Sequence, residues 1–268
     1  TINGNRLHLT KGIHLVFDRD RLPLKHSVYF DVGDGRMMFA IPRGHTTYIG
    51  TTDTDYSGGK DRPEVLKSEV DYILDAANRQ FSIEKLTTKD ILSSWVGLRP
   101  LIHQDGKSPS ELSRKDEVFE SERGLISIAG GKLTGYRKMA LRTVDLVCKR
   151  ISDNHFRNAK SSTEHKKLSG SNFPDGDIDR LIGKHAGSGL DRKTLLELAV
   201  RYGANITVVI ENMDLVPEQE TKEKSLLLAE LKYCVENEMA AELSDFLIRR
   251  SGRLYFDRQN SLELIPWL

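Results

Sequence analysis

An α+β fold, with a β-rich domain followed by a small all-α domain, is what the sequence predicts, and three observations carry it. Short apolar runs separated by Gly, Asp and Pro fill the first third, the pattern of strands joined by turns. A Ser-, Asn-, Lys- and Gly-rich stretch with no clean period occupies residues 152–176, the composition of a linker or long surface loop. Beyond it, apolar residues recur at helical spacing. The expected domains are residues 1–151 and 177–268, with 152–176 as the linker.

Taken in order, residues 13–17 form a short apolar strand closed by Asp18-Arg19-Asp20. Residues 27–32 and 36–42 read as two strands of a hairpin, because Asp34-Gly35 supplies turn chemistry between them. Residues 46–51 supply another strand. A helix follows, with Pro63 in its first turn and Leu66, Val70, Ile73, Leu74, Ala77 and Phe81 on one face. Strands are expected at 90–96, 114–120 and 125–129. The Gly130-Gly131 turn then leads into a helix over 134–151 that buries Ala140, Val144 and Val147. In the second domain Asp191 is the expected N-cap of a helix striped by Leu195, Leu198, Ala199 and Tyr202, and Gly203 its stop. Helices are also expected at 204–213, despite β-branched Ile206, Val208 and Val209, and at 221–239 and 244–250.

Composition bounds the function. With 268 residues the chain can bury a sizeable core. Hydrophobic residues at 38% and charged residues at 29% describe a folded chain rather than a disordered one. A net charge of +1 creates no bulk field toward nucleic acid, so no nucleic-acid partner is expected. Cys148 and Cys234 fit neither a metal-ligand spacing nor a disulfide framework. A reducing cytoplasm is the expected compartment. No apolar run approaches the roughly 18–20 residues that span a bilayer, and the start carries no signal-peptide pattern. The first residue is Thr1 rather than Met, and the first few residues lead straight into a strand, so the sequence reads as an excised piece.

Few residues suggest chemistry by themselves. In Ala129-Gly130-Gly131-Lys132-Leu133-Thr134-Gly135-Tyr136-Arg137-Lys138, a strand meets paired glycines and then a helix N-terminus. Free N–H groups and a partial positive charge gather there, and Lys132, Arg137 and Lys138 add to it. Either an electron-rich group sits at this turn, or the cations point into water. Arg99 ends an apolar strand between Leu98 and Pro100. With Arg114 and Lys132 it could clamp a phosphate monoester through its planar fork, or it could pair with a carboxylate while Arg114 stays on the surface. His14 lies within the first apolar strand, as a hydrogen-bonded structural residue or as a base. Asp53 reads as a turn residue or as part of a site rim. Arg249, Arg250 and Arg253 form a basic cluster, read as an ion-paired helix end or as a contact for lipid headgroups. No metal-ligand cluster and no Gly-x-Gly-x-x-Gly stands out.

These pieces resemble a known family. Leu9-Thr10-Lys11-Gly12-Ile13-His14, Ile49-Gly50-Thr51-Thr52-Asp53, Gly97-Leu98-Arg99-Pro100-Leu101, Ser113-Arg114 and the 130–138 turn, in this order, are similar to the FAD-dependent (aerobic) glycerol-3-phosphate dehydrogenases. The run 233–253 is similar to that family's helical C-terminal part. The resemblance implies a β-rich FAD/substrate domain whose nucleotide-binding βαβ part lies upstream of Thr1. It implies oxidation of sn-glycerol 3-phosphate to dihydroxyacetone phosphate, with FAD as cofactor and a quinone as electron acceptor. By position, Arg99, Arg114 and Lys132 would hold the substrate phosphate or lie beside the flavin. His14 would act as the base, with Lys132 as a second catalytic group. Gly130, Gly131, Lys132, Leu133 and Thr134 would lie against the isoalloxazine ring. Only residues 102–113 separate Leu101 from Arg114, whereas the oxidase relatives carry a long insertion there. That spacing favours the dehydrogenase over a glycerol-3-phosphate oxidase. Another flavin oxidase of small substrates and a non-enzymatic binding module remain the alternatives. Peripheral contact with the inner face of the cell membrane and a homodimer fit the resemblance. The isolated chain is expected to bind FAD weakly and to be inactive.

Overall fold

The protein is described by a computed structural model that covers residues 7–102, 116–151, 160–173, 176–215 and 221–267. The chain divides into two compact units, Thr1–Thr163 and Glu164–Leu268.

The first unit is built on β1 (Leu7–Asp18). One edge of β1 carries β4 (Thr46–Gly50) and then β5 (Thr54–Asp55), and the other carries β6 (Ile91–Ile102), all antiparallel. The hairpin of β2 (Val28–Asp31) and β3 (Met37–Arg43) extends the sheet beyond β4. Its Asp34-Gly35 turn forms where the sequence places it. Asp34 there bonds Arg36 at 2.9 Å through Nε and the Tyr72 hydroxyl at 3.0 Å, and Arg36 holds its carboxyl down at about 2. β6 runs well past the expected end at 96. Gly97 and Pro100 look like breakers in the sequence, yet β6 pairs only with β1 among the described residues, and an edge strand tolerates a proline.

Alternation sends Ile13, Leu15 and Phe17 to one face of β1, where they pack with Met38, Ala40 and Ile49. Ile73, Leu74 and Ala77 of helix α1 (Lys67–Gln80) complete this core. Each buried Ile, Leu, Phe or Met among these stabilises by about 1.5–3 kcal/mol, and each alanine by less. Two details of α1 differ from expectation. Leu66 is its N-cap, half exposed rather than on the buried stripe, and Pro63 precedes the helix instead of occupying its first turn. Glu69 makes this start work, accepting the Leu66 N–H at 2.9 Å and pairing with the buried Lys11 at 3.0 Å.

The antiparallel pair β7 (Asp116–Glu120) and β8 (Ile126–Gly130) follows, then α2 (Tyr136–Arg150). The expected burial of Ala140, Val144 and Val147 is overturned: all three are exposed, and no α2 side chain is buried. Ion pairs instead of an apolar stripe tie α2 to β7, Arg142 to Asp116 and Arg150 to Glu120.

The second unit is helical: α3 (Ile178–Gly183), α4 (Arg192–Tyr202), α5 (Ile206–Met213), α6 (Lys222–Asn237), α7 (Arg253–Phe256) and α8 (Arg258–Leu264). Asp191 caps α4 by accepting the Thr194 N–H at 2.7 Å, and Gly203 ends it. Thr221 caps α6. Ile206 and Val209 are buried, so packing overrides the low helix propensity of their branched chains. Residues Asp245–Arg250, expected as an ordinary helix, form a π turn. The Phe246 carbonyl accepts both the N–H and the hydroxyl of Ser251, at 2.9 and 2.7 Å, which fixes the longer repeat. The three arginines of the basic cluster are engaged within this unit: Arg249 with Asp245, Arg250 with the Glu238 carbonyl, Arg253 with Glu230. Burial pushes the Cys234 thiol in α6 up to about 12.

Candidate active site

The face of β1 turned away from the core carries Gly12 and His14. Register sets Gly97 of β6 opposite Gly12 and Trp95 opposite His14, and Arg99 follows two residues along the same face. The result is a glycine floor with an arginine at one end and a stacked imidazole at the other. The glycines are required by close approach. A Cβ on Gly12 would overlap Thr51 Oγ1 and the Arg99 guanidinium, and one on Gly50 would overlap the His14 ring.

Arg99 is held from below. Nη2 donates to Thr51 Oγ1 at 2.7 Å, and Nη1 donates to the Thr52 carbonyl at 3.2 Å and to Asp53 Oδ1 at 3.1 Å. Arg99 thus pairs with a carboxylate, one of the two sequence alternatives, and a third of its side chain still reaches solvent. Residues 51–53 can do this because they bridge the gap between β4 and β5 on the edge of β1. The buried Thr52 stands in for ladder pairing, its hydroxyl accepting the Ile13 N–H at 3.1 Å and donating to the Lys11 carbonyl at 3.4 Å. Alternation then turns Thr51 and Asp53 toward Arg99. Asp53 is thus more than a turn residue, since it pairs with Arg99.

His14 stacks on Trp95, with ring centroids 4.7 Å apart and planes 11° from parallel, and Tyr48 closes a second side at 6.2 Å. Burial, and secondly the Arg99 charge, lower its pKa to about 4. The ring is neutral at pH 7. Its Nδ1 is buried without a partner, which leaves Nε2 as the nitrogen able to meet a ligand. A depressed folded pKa means that stability is present above the unfolded value near 6.5 and is lost as pH falls toward 4. Unfolding followed from pH 7 to 4 is expected to show this loss, on the order of 3 kcal/mol. His14→Gln is expected to reduce it, leaving the smaller part that His185, whose pKa burial also lowers, contributes in the same window. A slope that persists undiminished in the variant would assign the loss to other groups. The carboxyls of Asp34 and Asp90, both held down at about 2, titrate in a lower window and do not interfere.

The turn after β8 is a separate piece. Gly130 and Gly131 adopt φ values of 78° and 83°, which favour glycine. Lys132, Leu133 and Thr134 are exposed, Leu133 by 89%. The first turn of α2 has no acidic residue and its N-cap Gly135 has no side chain to offer, while a 3-10 turn over Leu133–Gly135 leads into it, with the Gly135 and Tyr136 N–H groups donating to the Lys132 and Leu133 carbonyls. No hydrogen bond or ion pair among the described residues joins Lys132 to Arg99 or His14. Arg114 lies outside the described residues. Trp95, Tyr48 and the clearing glycines were not singled out from sequence. The two-residue spacing of Trp95, Gly97 and Arg99 was the available signal.

Comparison with known proteins agrees with this architecture. Residues 2–137 match the model of the FAD dependent oxidoreductases, and residues 161–267 match the C-terminal domain of alpha-glycerophosphate oxidase. The chain belongs to the FAD-dependent oxidoreductase family. It is 45% identical over 265 residues to a Bacillus subtilis protein named aerobic glycerol-3-phosphate dehydrogenase, covering 95% of this chain and 47% of that one. The namesake from Staphylococcus haemolyticus is 44% identical, with 96% and 47% covered. Among solved structures, the glycerol-3-phosphate dehydrogenase from Bacillus halodurans complexed with FAD superposes with a TM-score of 0.84 at 43% identity, covering 98% of this chain and 52% of that one. The chain spans about half the length of the curated relatives it matches. Among the described residues no cluster of His, Cys, Asp or Glu could hold a metal ion, and no helix is long and apolar enough to cross a membrane.

Proposed function

We propose that this chain is the substrate side of an enzyme that oxidises sn-glycerol 3-phosphate to dihydroxyacetone phosphate. The observation that carries the proposal is the pairing of Arg99 with a neutral His14 across Gly12 on one sheet face. Their backbone positions are two same-face repeats apart, but the Arg99 guanidinium reaches back beside Gly12, about one repeat of 6–7 Å from His14, a separation suited to a phosphate and a carbinol on one three-carbon chain. Arg99 binds the phosphate and orients the carbinol away from it, with Arg114 and Lys132 as the proposed further cations. FAD, when bound, supplies the acceptor for the hydride that leaves the carbinol carbon.

His14 Nε2 takes the hydroxyl proton. A pKa of about 4 alone makes a weak base at pH 7, but the substrate corrects this. An anion at Arg99 offsets the second cause of the depression, so the pKa of His14 rises as the phosphate docks, while burial, the larger cause, remains. The Gly130-Gly131 turn lets a flat ring approach the backbone, while the α2 N-terminus and Lys132 offer positive charge where electron density accumulates. Gly130, Gly131, Lys132, Leu133 and Thr134 are the residues proposed to hold that ring. The short spacing from Leu101 to Arg114 supports a quinone as the final acceptor, and a quinone in the bilayer supports peripheral contact of a cytoplasmic enzyme with the cell membrane.

Dye reduction by the full-length, FAD-loaded protein tests the proposal. Activity with glycerol 3-phosphate is expected, and Arg99→Ala should raise KM by about 10–100-fold with a smaller change in kcat. Activity indifferent to Arg99 would refute the site, and its absence would refute the substrate.

A further inference from the structure

The segment Thr51-Thr52-Asp53 had no firm role in the sequence, and its geometry supplies one. A guanidinium has five N–H donors. Three of those on Arg99 are spent on Thr51 Oγ1, the Thr52 carbonyl and Asp53 Oδ1. Among the described residues this leaves one N–H on Nε and one on Nη2. Nε and Nη2 flank a single edge of the plane, the edge that takes two oxygens of one oxyanion. The other edge is tied to the sheet, and Gly12 lies so close beneath it that no Cβ fits.

We propose that Thr51 and Asp53 are positioning residues that lock the Arg99 fork so that its Nε–Nη2 edge alone faces the substrate phosphate. The proposal rests on the assignment of Arg99 to that phosphate. A free arginine must surrender its rotamer freedom when an anion binds, whereas Arg99 is oriented beforehand, so that cost does not fall on binding. Asp53 plays its part through one oxygen at 3.1 Å, as a hydrogen-bond acceptor on the side away from the open edge. Its negative charge is dispensable to the geometry. Thr52 serves only to fasten the segment to β1, through its two backbone contacts.

The test uses the full-length, FAD-loaded protein with two readouts: KM and kcat for glycerol 3-phosphate, and the Kd of inorganic phosphate by calorimetry. Thr51→Val and Asp53→Ala, at wild-type flavin absorbance, are each expected to raise KM and the phosphate Kd by about tenfold, with kcat changed less. Thr51→Ser keeps the hydroxyl and should restore both values. Asp53→Asn keeps an acceptor at Oδ1 and removes a competing charge, so its phosphate Kd should lie at or below that of the wild type. Arg99→Ala separates the two assignments. If it raises KM while Thr51→Val and Asp53→Ala do not, the lock is wrong and the phosphate site stands. If Arg99→Ala changes neither KM nor the phosphate Kd, the phosphate site falls and the lock falls with it. A Thr51→Ser variant as defective as Thr51→Val, or losses confined to kcat, would also overturn the lock.

Discussion

His14→Gln in the full-length, FAD-loaded protein is expected to lower kcat by about 10²–10⁴-fold, the usual worth of a positioned base. Glutamine fills similar space and still presents polar atoms above Gly50, but it cannot take a proton. KM should move little, because in the proposed site the phosphate is held by the Arg99 guanidinium beside Gly12, one repeat along the face from His14. The pH profile adds a second criterion. The acid limb of kcat should disappear with the imidazole, whereas a variant that merely loosened the stack on Trp95 would shift that limb and keep it. Turnover within fivefold of wild type, with the limb intact, would remove His14 from the chemistry. It would leave the residue as a stacked part of the sheet, the other role its sequence context allowed.

Glu230→Ala is expected to be the most damaging single change in the helical unit. Glu230 is fully buried in α6. It accepts Arg201, Arg253 and, at 2.9 Å, the Tyr202 hydroxyl, whose ionisation is pushed up by burial and secondly by the Glu230 charge. One carboxylate thus joins α4, α6 and α7. Its removal leaves Arg201 without its counter-charge, Arg253 with only Asp257 at 3.6 Å, and Tyr202 without its acceptor, and the Arg253 Nε already lacks a partner. Breaking a buried pair typically costs about 3–5 kcal/mol. The lower end is expected, because both arginines keep 21–30% of their side chains exposed and can rehydrate. Amide exchange in α4 and α6 measures this locally. Opening free energies that stay within 1 kcal/mol of wild type would show that the apolar cluster around Leu198 and Phe246 holds the unit without the knot.

Much of this architecture was legible in the residue order, and the exceptions share a cause. Asp191, Gly203 and the Leu195–Tyr202 stripe announced α4 because caps and periodicity are local properties. The Asp34-Gly35 turn is likewise local. β6 runs past the expected end at 96 through Gly97 and Pro100, and only pairing with β1 shows that this edge admits them. Ala140, Val144 and Val147 have a helical spacing that reads as a buried stripe. The spacing specifies the helix, but burial depends on which surface meets it, and α2 is fastened through Arg142 and Arg150.

The site divides in the same way. Local chemistry marked His14, Arg99 and the paired glycines before any fold was known, because an arginine between apolar neighbours or a histidine inside a strand is conspicuous within a few residues. The order of motifs along the chain was enough to point to the family. Neither the low pKa of His14 nor the lock on Arg99 is present in any short stretch. The first needs burial against Trp95, 81 positions away, and the charge of Arg99. The second needs Thr51 and Asp53 to cross over Gly12 and meet a residue almost 50 positions further on. Protonation and orientation depend on through-space contacts, and folding is what creates them.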